Sequence, residues 1–191
     1  MKYYFIEPKY SGKREIHIIP EENIWTPQIC PQCGGNQVKT SVPIKVMIKG
    51  EPCDFYRNSG KLLISSMCLE LFERLHLTGY AVLPADVKVK GDSESVEKLH
   101  YYELVIDGRC GFAKDSNGTY LPKCDLCGRR FPRKEKVIGF RFDETEYDGS
   151  SIFAFDNLTN FPIVSDAVKK EIVKAKLSNF KFTELSKMEM L

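Results

Sequence analysis

Two short segments, Cys30-Pro31-Gln32-Cys33-Gly34 and Cys124-Asp125-Leu126-Cys127-Gly128, limit the folds open to this chain more than any other feature. Each C-x-x-C puts two thiols on one tight turn. The glycine that follows lets the chain leave at positive φ without a Cβ clash. Together Cys30, Cys33, Cys124 and Cys127 offer the four thiolates of a closed tetrahedral zinc site, with Zn²⁺ in a structural role. Ninety residues lie between Cys33 and Cys124, far more than in compact zinc ribbons. An ion held by both hooks would join distant segments and staple the whole fold. A thioredoxin-type redox pair would instead open a helix after a parallel strand. Both hooks sit among Pro, Gly and polar residues, which does not match that context.

The other three cysteines, Cys53, Cys68 and Cys110, make an odd total of seven. An odd count, paired spacing and no apolar export segment at MKYYFIEPKY argue against a disulfide framework and for a cytoplasmic protein. With 42% hydrophobic and 28% charged residues, the chain can build a core without disulfides. A net charge of +2 gives no global reason to expect a nucleic-acid or membrane partner. No apolar run approaches the ~18 residues needed to span a bilayer.

The hydrophobic pattern predicts an α+β fold of seven or eight mostly antiparallel strands with two main helices. Residues 1–191 read as a single zinc-stapled domain. Tyr3–Ile6, Glu15–Ile19 and Tyr101–Ile106 read as strands, and Val42–Ile48 alternates as a half-buried strand does. Ser65 or Ser66 can cap a helix whose apolar stripe is Met67, Cys68, Leu71, Phe72 and Leu75. That helix should stop near His76. A strand from Tyr80 to Val89, interrupted at Pro84, follows. Near the C-terminus Ser165 caps a second helix with Val168, Ile172 and Ala175 inward. Leu177-Ser178-Asn179-Phe180-Lys181-Phe182 then matches Leu77-Thr78-Gly79-Tyr80-Ala81-Val82 position by position. Gly79 and Asn179 are types that tolerate the left-handed turn ending a helix. The match predicts an internal helix–strand repeat, with halves of about 1–100 and 101–191. Between them, Asp115-Ser116-Asn117-Gly118 is a turn, Val137–Phe142 an alternating strand, Thr145–Ser151 a polar loop and Ile152–Phe155 a short strand.

Motifs for catalysis are missing. There is no H-E-x-x-H, G-x-S-x-G, phosphate-binding loop or dinucleotide fingerprint, and His17, His76 and His100 are scattered singly. The chain therefore does not read as an enzyme. Two charged surfaces remain. Lys123, Arg129, Arg130, Arg133, Lys134 and Lys136, with Phe131 among them, surround the second hook. They would suit a zinc-ribbon nucleic-acid-binding or regulatory protein, the alternative function for this chain. Asp143, Glu144, Glu146, Tyr147, Asp148, Phe153 and Phe155 mix acid with aromatics, as a surface facing a basic protein partner would.

The two hooks, CPQCG at 30–34 and CDLCGRR at 124–130, and the ending FDNLTNFPIVSDAVKKEIVKAKLSNFKF give the chain a resemblance to a known family. It resembles the double-CXXCG-motif immunity proteins, first noticed as myxobacterial paralogues that protect a cell from its own swarming-inhibition toxins. The similarity of order runs from the N-terminal strand to about Leu185. It implies a non-enzymatic antitoxin, made in the cytoplasm beside a cognate toxin and neutralising it by direct occlusion, as bacterial competition demands.

Overall fold

The computed structural model describes residues 1–9, 14–19, 22, 26–39, 42–90, 100–128 and 136–190. The first half contains β1 (Tyr3–Pro8), β2 (Arg14–Ile18), β3 (Thr26–Ile29), β4 (Asn36–Lys39), β5 (Ile44–Gly50), β6 (Phe55–Asn58), β7 (Lys61–Ser65), α1 (Ser66–Arg74) and β8 (Tyr80–Val89). The second contains β9 (Tyr101–Ile106), β10 (Gly108–Arg109), β11 (Lys114–Asp115), β12 (Val137–Ile138), β13 (Phe140–Arg141), β14 (Ile152–Ala154), β15 (Ile163–Ser165), α2 (Asp166–Lys174), β16 (Phe180–Glu184) and β17 (Glu189–Met190). The architecture is α+β with two helices and mostly antiparallel sheets. Two ladders, β5 with β8 and β10 with β14, are parallel.

Two large sheets carry the fold, in the orders β2-β5-β8-β9-β7-β6 and β10-β14-β15-β1-β16. Within them one four-strand pattern occurs twice. β9 lies between β7 and β8, and β1 lies between β15 and β16. The registers agree residue by residue. Tyr101 faces Ser65 and Ile106 faces Tyr80 in one sheet; Tyr3 faces Ser165 and Pro8 faces Phe180 in the other. A cut near residue 100 therefore does not separate the sheets. Each half lends its first strand to the centre of the other half's sheet.

The helices show why the two units look alike. Ser65 and Ser165 hold nearly the same extended backbone, with φ and ψ of −72° and 163° and of −73° and 165°. Their hydroxyls accept the Cys68 and Val168 N–H groups, satisfying donors that a helix start leaves open. Both helices end in the same pair of hydrogen bonds, of which the first runs from the His76 N–H to the Glu73 carbonyl and from the Lys176 N–H to the Val173 carbonyl. The Leu77 N–H reaches the Phe72 carbonyl and the Leu177 N–H reaches Ile172, five residues back. The left-handed residue that permits this is His76 in one and Lys176 in the other, at φ 50° and 57°. Gly79 and Asn179, expected in that role, instead occupy a second positive-φ turn just before the strands.

Those second turns are braced from across the molecule. Asp54 accepts the Ser65 hydroxyl at 2.6 Å, and the Ser178 amide and hydroxyl at 2.6 and 2.7 Å. Asn179 Nδ2 donates to the Phe55 carbonyl at 2.6 Å. In the other unit Ile152 N donates to the Thr78 carbonyl, and Gly79 packs so close that a Cβ would stand 2.1 Å from the Ile152 carbonyl oxygen. A shared core lies beneath. It joins Ile6 with Leu104, Phe55 with Ile152, Ile64 with Val164, Cys68 with Val168 and Phe72 with Ile172, equivalent positions of the two units.

Local departures from expectation have local causes. Met67 is 61% exposed and leaves the α1 stripe to Cys68, Leu71 and Phe72. The strand expected over Val137–Phe142 is broken into β12 and β13 by Gly139 at φ 75°. β8 runs through Pro84 unbroken, one residue before the ladder to β9 ends and the ladder to β5 begins, both at Ala85. A lost donor costs little at such a handover. Many strands of two to four residues raise the count well above eight.

Gly79→Ala should destabilise the protein by at least ~2 kcal/mol, since it adds a backbone clash to left-handed strain. Gly149→Ala, at φ 82° but with open space at its Cβ, should cost about 1 kcal/mol. Urea unfolding of the two variants measures the difference.

Candidate metal centre

The first hook is the tip of the β3–β4 hairpin. The second lies between β11 and β12. Each turn closes in the same way. The Gly34 N–H donates to the Cys30 carbonyl at 2.9 Å, and the Gly128 N–H donates to the Cys124 carbonyl at 2.8 Å. Both glycines have positive φ, 65° and 70°, as a C-x-x-C-G turn requires. The turns bring four sulfurs together, all within 4.8 Å of one another. Cys30 Sγ stands 3.8 Å from Cys124 Sγ, and Cys33 Sγ stands 3.6 Å from Cys127 Sγ. Equivalent cysteines pair, first with first and second with second, as they would about a local two-fold axis.

The donor set fits a tetrahedral metal. Zinc–sulfur bonds of ~2.3 Å at tetrahedral angles put sulfurs ~3.8 Å apart, close to the 3.8 and 3.6 Å of the two equivalent pairs. It is far beyond the ~2.05 Å of a disulfide, and all four cysteines are free thiols. The Gly35 N–H points at Cys33 Sγ from 3.4 Å, a bond that favours a thiolate. The electrostatics call for a cation. Backbone N–H groups, Cys33's first, pull the Cys30 thiol down to about 6. Cys33 is pushed up to about 11, since desolvation and bonds to the other thiols outweigh the Gly35 N–H. Four sulfurs this close cannot all ionise beside one another without a positive centre. Among the described residues these four cysteines form the group that could hold a metal ion.

A contact the sequence reading missed bridges the hooks. Gln32 Oε1 accepts the Leu126 N–H at 3.1 Å. Gln32 and Leu126 hold the same place within their hooks, so aligning the two motifs is the signal that would have found it. Lys123, next to Cys124, lies over the Phe112 ring at 4.1 Å. The remaining cysteines are core residues. Cys68 packs in the shared core as expected, and Cys53 and Cys110 direct their sulfurs to the Phe55 and Ala154 carbonyls. Burial raises the Cys68 and Cys110 thiols well above their ordinary range. His17 lies 3.1 Å from Glu15, and His76 ends α1.

The acid–aromatic surface divides in two. Phe153 and Phe155 are fully buried, at 0% exposure, in a cluster with Phe5 and Phe140. They correct the expectation of partner contacts there, because Phe153, on β14, and Phe155, just past its end, both lie in the core. Tyr147 is half-buried against Phe153, its hydroxyl donates to the Ser150 carbonyl, and burial raises it to about 12. Asp143 accepts from the Thr145 hydroxyl and amide at 2.7 and 3.1 Å and meets Lys114 at 3.0 Å. Asp148 takes the Arg109 and Ser150 N–H groups at 2.7 and 2.9 Å. Glu144, Glu146 and Asp148 remain exposed on this loop. Of the basic cluster, Lys136 pairs with Glu189, while Arg129, Arg130, Phe131, Arg133 and Lys134 lie outside the described residues.

The Thr145 hydroxyl, then Lys114, holds the Asp143 carboxyl down to about 2 from an ordinary 3.8. A lowered folded-state value means that its contribution to stability is complete above 3.8 and is lost as pH falls through about 2. Asp143→Asn should therefore flatten the acid limb of thermal stability in that window and lower the melting temperature at pH 7, both read by calorimetry across pH.

No helix among the described residues is long and apolar enough to cross a membrane. No curated protein matches the chain. Residues 38–187 match the immunity protein family Imm11, a stretch that begins just after the first hook and takes in the second, both helices and the pairing partners of β1 and β9. Since that stretch covers well over half of the sequence, the chain belongs to the Imm11 immunity protein family.

Proposed function

We propose that the protein protects its cell by binding a cognate toxin directly and covering the surface that toxin works with. Family membership over residues 38–187 carries this reading. The protein acts here as a binder in the cytoplasm and not as a catalyst. The loop from Asp143 to Asp148 supplies the contact surface. Glu144, Glu146 and Asp148 offer exposed carboxylates, Asp143 and Tyr147 shape the loop, and Phe153 and Phe155 support it from below. Such a surface suits a toxin with a basic working face, since complementary charge speeds encounter and fixes register.

A structural Zn²⁺ ion belongs to the same proposal, held by Cys30, Cys33, Cys124 and Cys127. Thiolates suit zinc, and four protein ligands leave no open position for chemistry. The ion would neutralise the crowded sulfurs and fix the two hooks to one another. The protein's own residues prepare the site: Gly34 and Gly128 shape the turns, and Gln32 links them.

Co-expression with the toxin encoded beside it should restore growth, and the two proteins should purify as a one-to-one complex. Survival without a complex would overturn occlusion. Glu144→Lys with Glu146→Lys should weaken that complex at least tenfold by calorimetric titration; unchanged affinity moves the interface elsewhere. Metal analysis should find one zinc per chain, lost in Cys33→Ser with Cys127→Ser. Less than half an equivalent in the native protein refutes the zinc assignment.

A further inference from the structure

The two hooks are equivalent in sequence but not in attachment. Cys124 is 1% exposed, and Leu121, three residues earlier, is buried with Phe5, Phe140 and Phe155. The second hook is therefore anchored in the body. The first is not. β3 and β4 pair with one another and join neither large sheet. From Thr26 to Gly35 every residue whose exposure is described is exposed or half-buried, and none belongs to a core cluster. Among the described residues, what reaches from this hairpin to the second hook is the Gln32–Leu126 hydrogen bond and the cysteine cluster.

The body has its own means of holding together. β1 and β9 interlock the two sheets, and the shared core draws on both units. Neither depends on the hooks. A single neutral hydrogen bond contributes about 1 kcal/mol, and an isolated two-stranded hairpin is at best marginal in water. Four metal–sulfur bonds are then the dominant restraint on the hairpin's position, while the core stands without them.

We infer that the metal is a switch for the β3–β4 hairpin and not the nucleus of the fold. With the ion bound, the hairpin is docked and sets Ile29 (69% exposed) and Leu126 (61% exposed) on the rim of one site. With the ion removed, residues 26–39 detach while both large sheets persist. The immunity protein thereby carries a surface whose shape depends on metal supply. This rests on the site being filled by zinc, and its test is independent of any toxin.

Hydrogen–deuterium exchange on the full-length zinc-loaded protein, with and without a zinc chelator, reads the switch. Exchange in residues 26–39 should rise at least tenfold on chelation, while β1, β7, β9 and β15 keep their protection. The full-length Cys30→Ser, Cys33→Ser variant should match the chelated protein and remain folded by circular dichroism. Loss of protection across both sheets, or a variant that does not fold, overturns the inference, because the ion would then be holding the core. Unchanged exchange in the hairpin also overturns it. A protein that purifies without zinc fails the metal assignment first, and metal analysis of the same sample identifies that outcome.

Discussion

The structure depends on a trade of central strands. β1 lies between β15 and β16, and β9 lies between β7 and β8, in matching registers. A strand buried in the middle of a sheet satisfies backbone groups on both of its edges. Taking it away exposes two ladders and the core face beneath. Each unit therefore lacks a complete sheet until the other is present, and the shared core of equivalent residues follows from that mutual dependence. The bracing of the turns follows as well. Phe55 and Ile152 begin equivalent strands, and each presents its carbonyl to the turn that follows the other unit's helix.

The same relation explains the cysteine cluster. The first hook is inserted between β1 and β6, and the second between β9 and β14. Two insertions at equivalent places in two intertwined units meet close to the relation that exchanges them. That is why Cys30 pairs with Cys124 and Cys33 with Cys127. Equivalent cysteines lie 94 residues apart, close to the 98 that separate Tyr3 from Tyr101 and the 100 that separate Ser65 from Ser165, so the spacing needs no unusual metal geometry.

Much of this could be read from the residues. The hooks announced their sulfur cluster, because C-x-x-C-G has few other uses in a thiol-reducing setting. The serine caps and the apolar stripes announced the helices. The match of Leu77–Val82 with Leu177–Phe182 pointed to a repeated unit. The exchange of strands was invisible, since Tyr3–Pro8 and Tyr101–Ile106 look like ordinary strands and pairing partners leave no mark on a single sequence. The left-handed roles of His76 and Lys176 were hidden too, because Gly79 and Asn179, stronger candidates by type, stand three residues further on. Phe153 and Phe155 misled for another reason. An aromatic beside an acidic loop looks like a contact surface until the direction of its strand is known.

The position of β1 also governs when the molecule can be finished. Its neighbours, Ile163–Ser165 and Phe180–Glu184, are made long after it. At about 5–20 residues per second, synthesis of a chain this long takes roughly 10–40 s. Until residues 163–184 have emerged, β1 lacks the neighbours it pairs with, and its sheet cannot close. A chain that stops before residue 180 therefore leaves one edge of β1 without its partner strand.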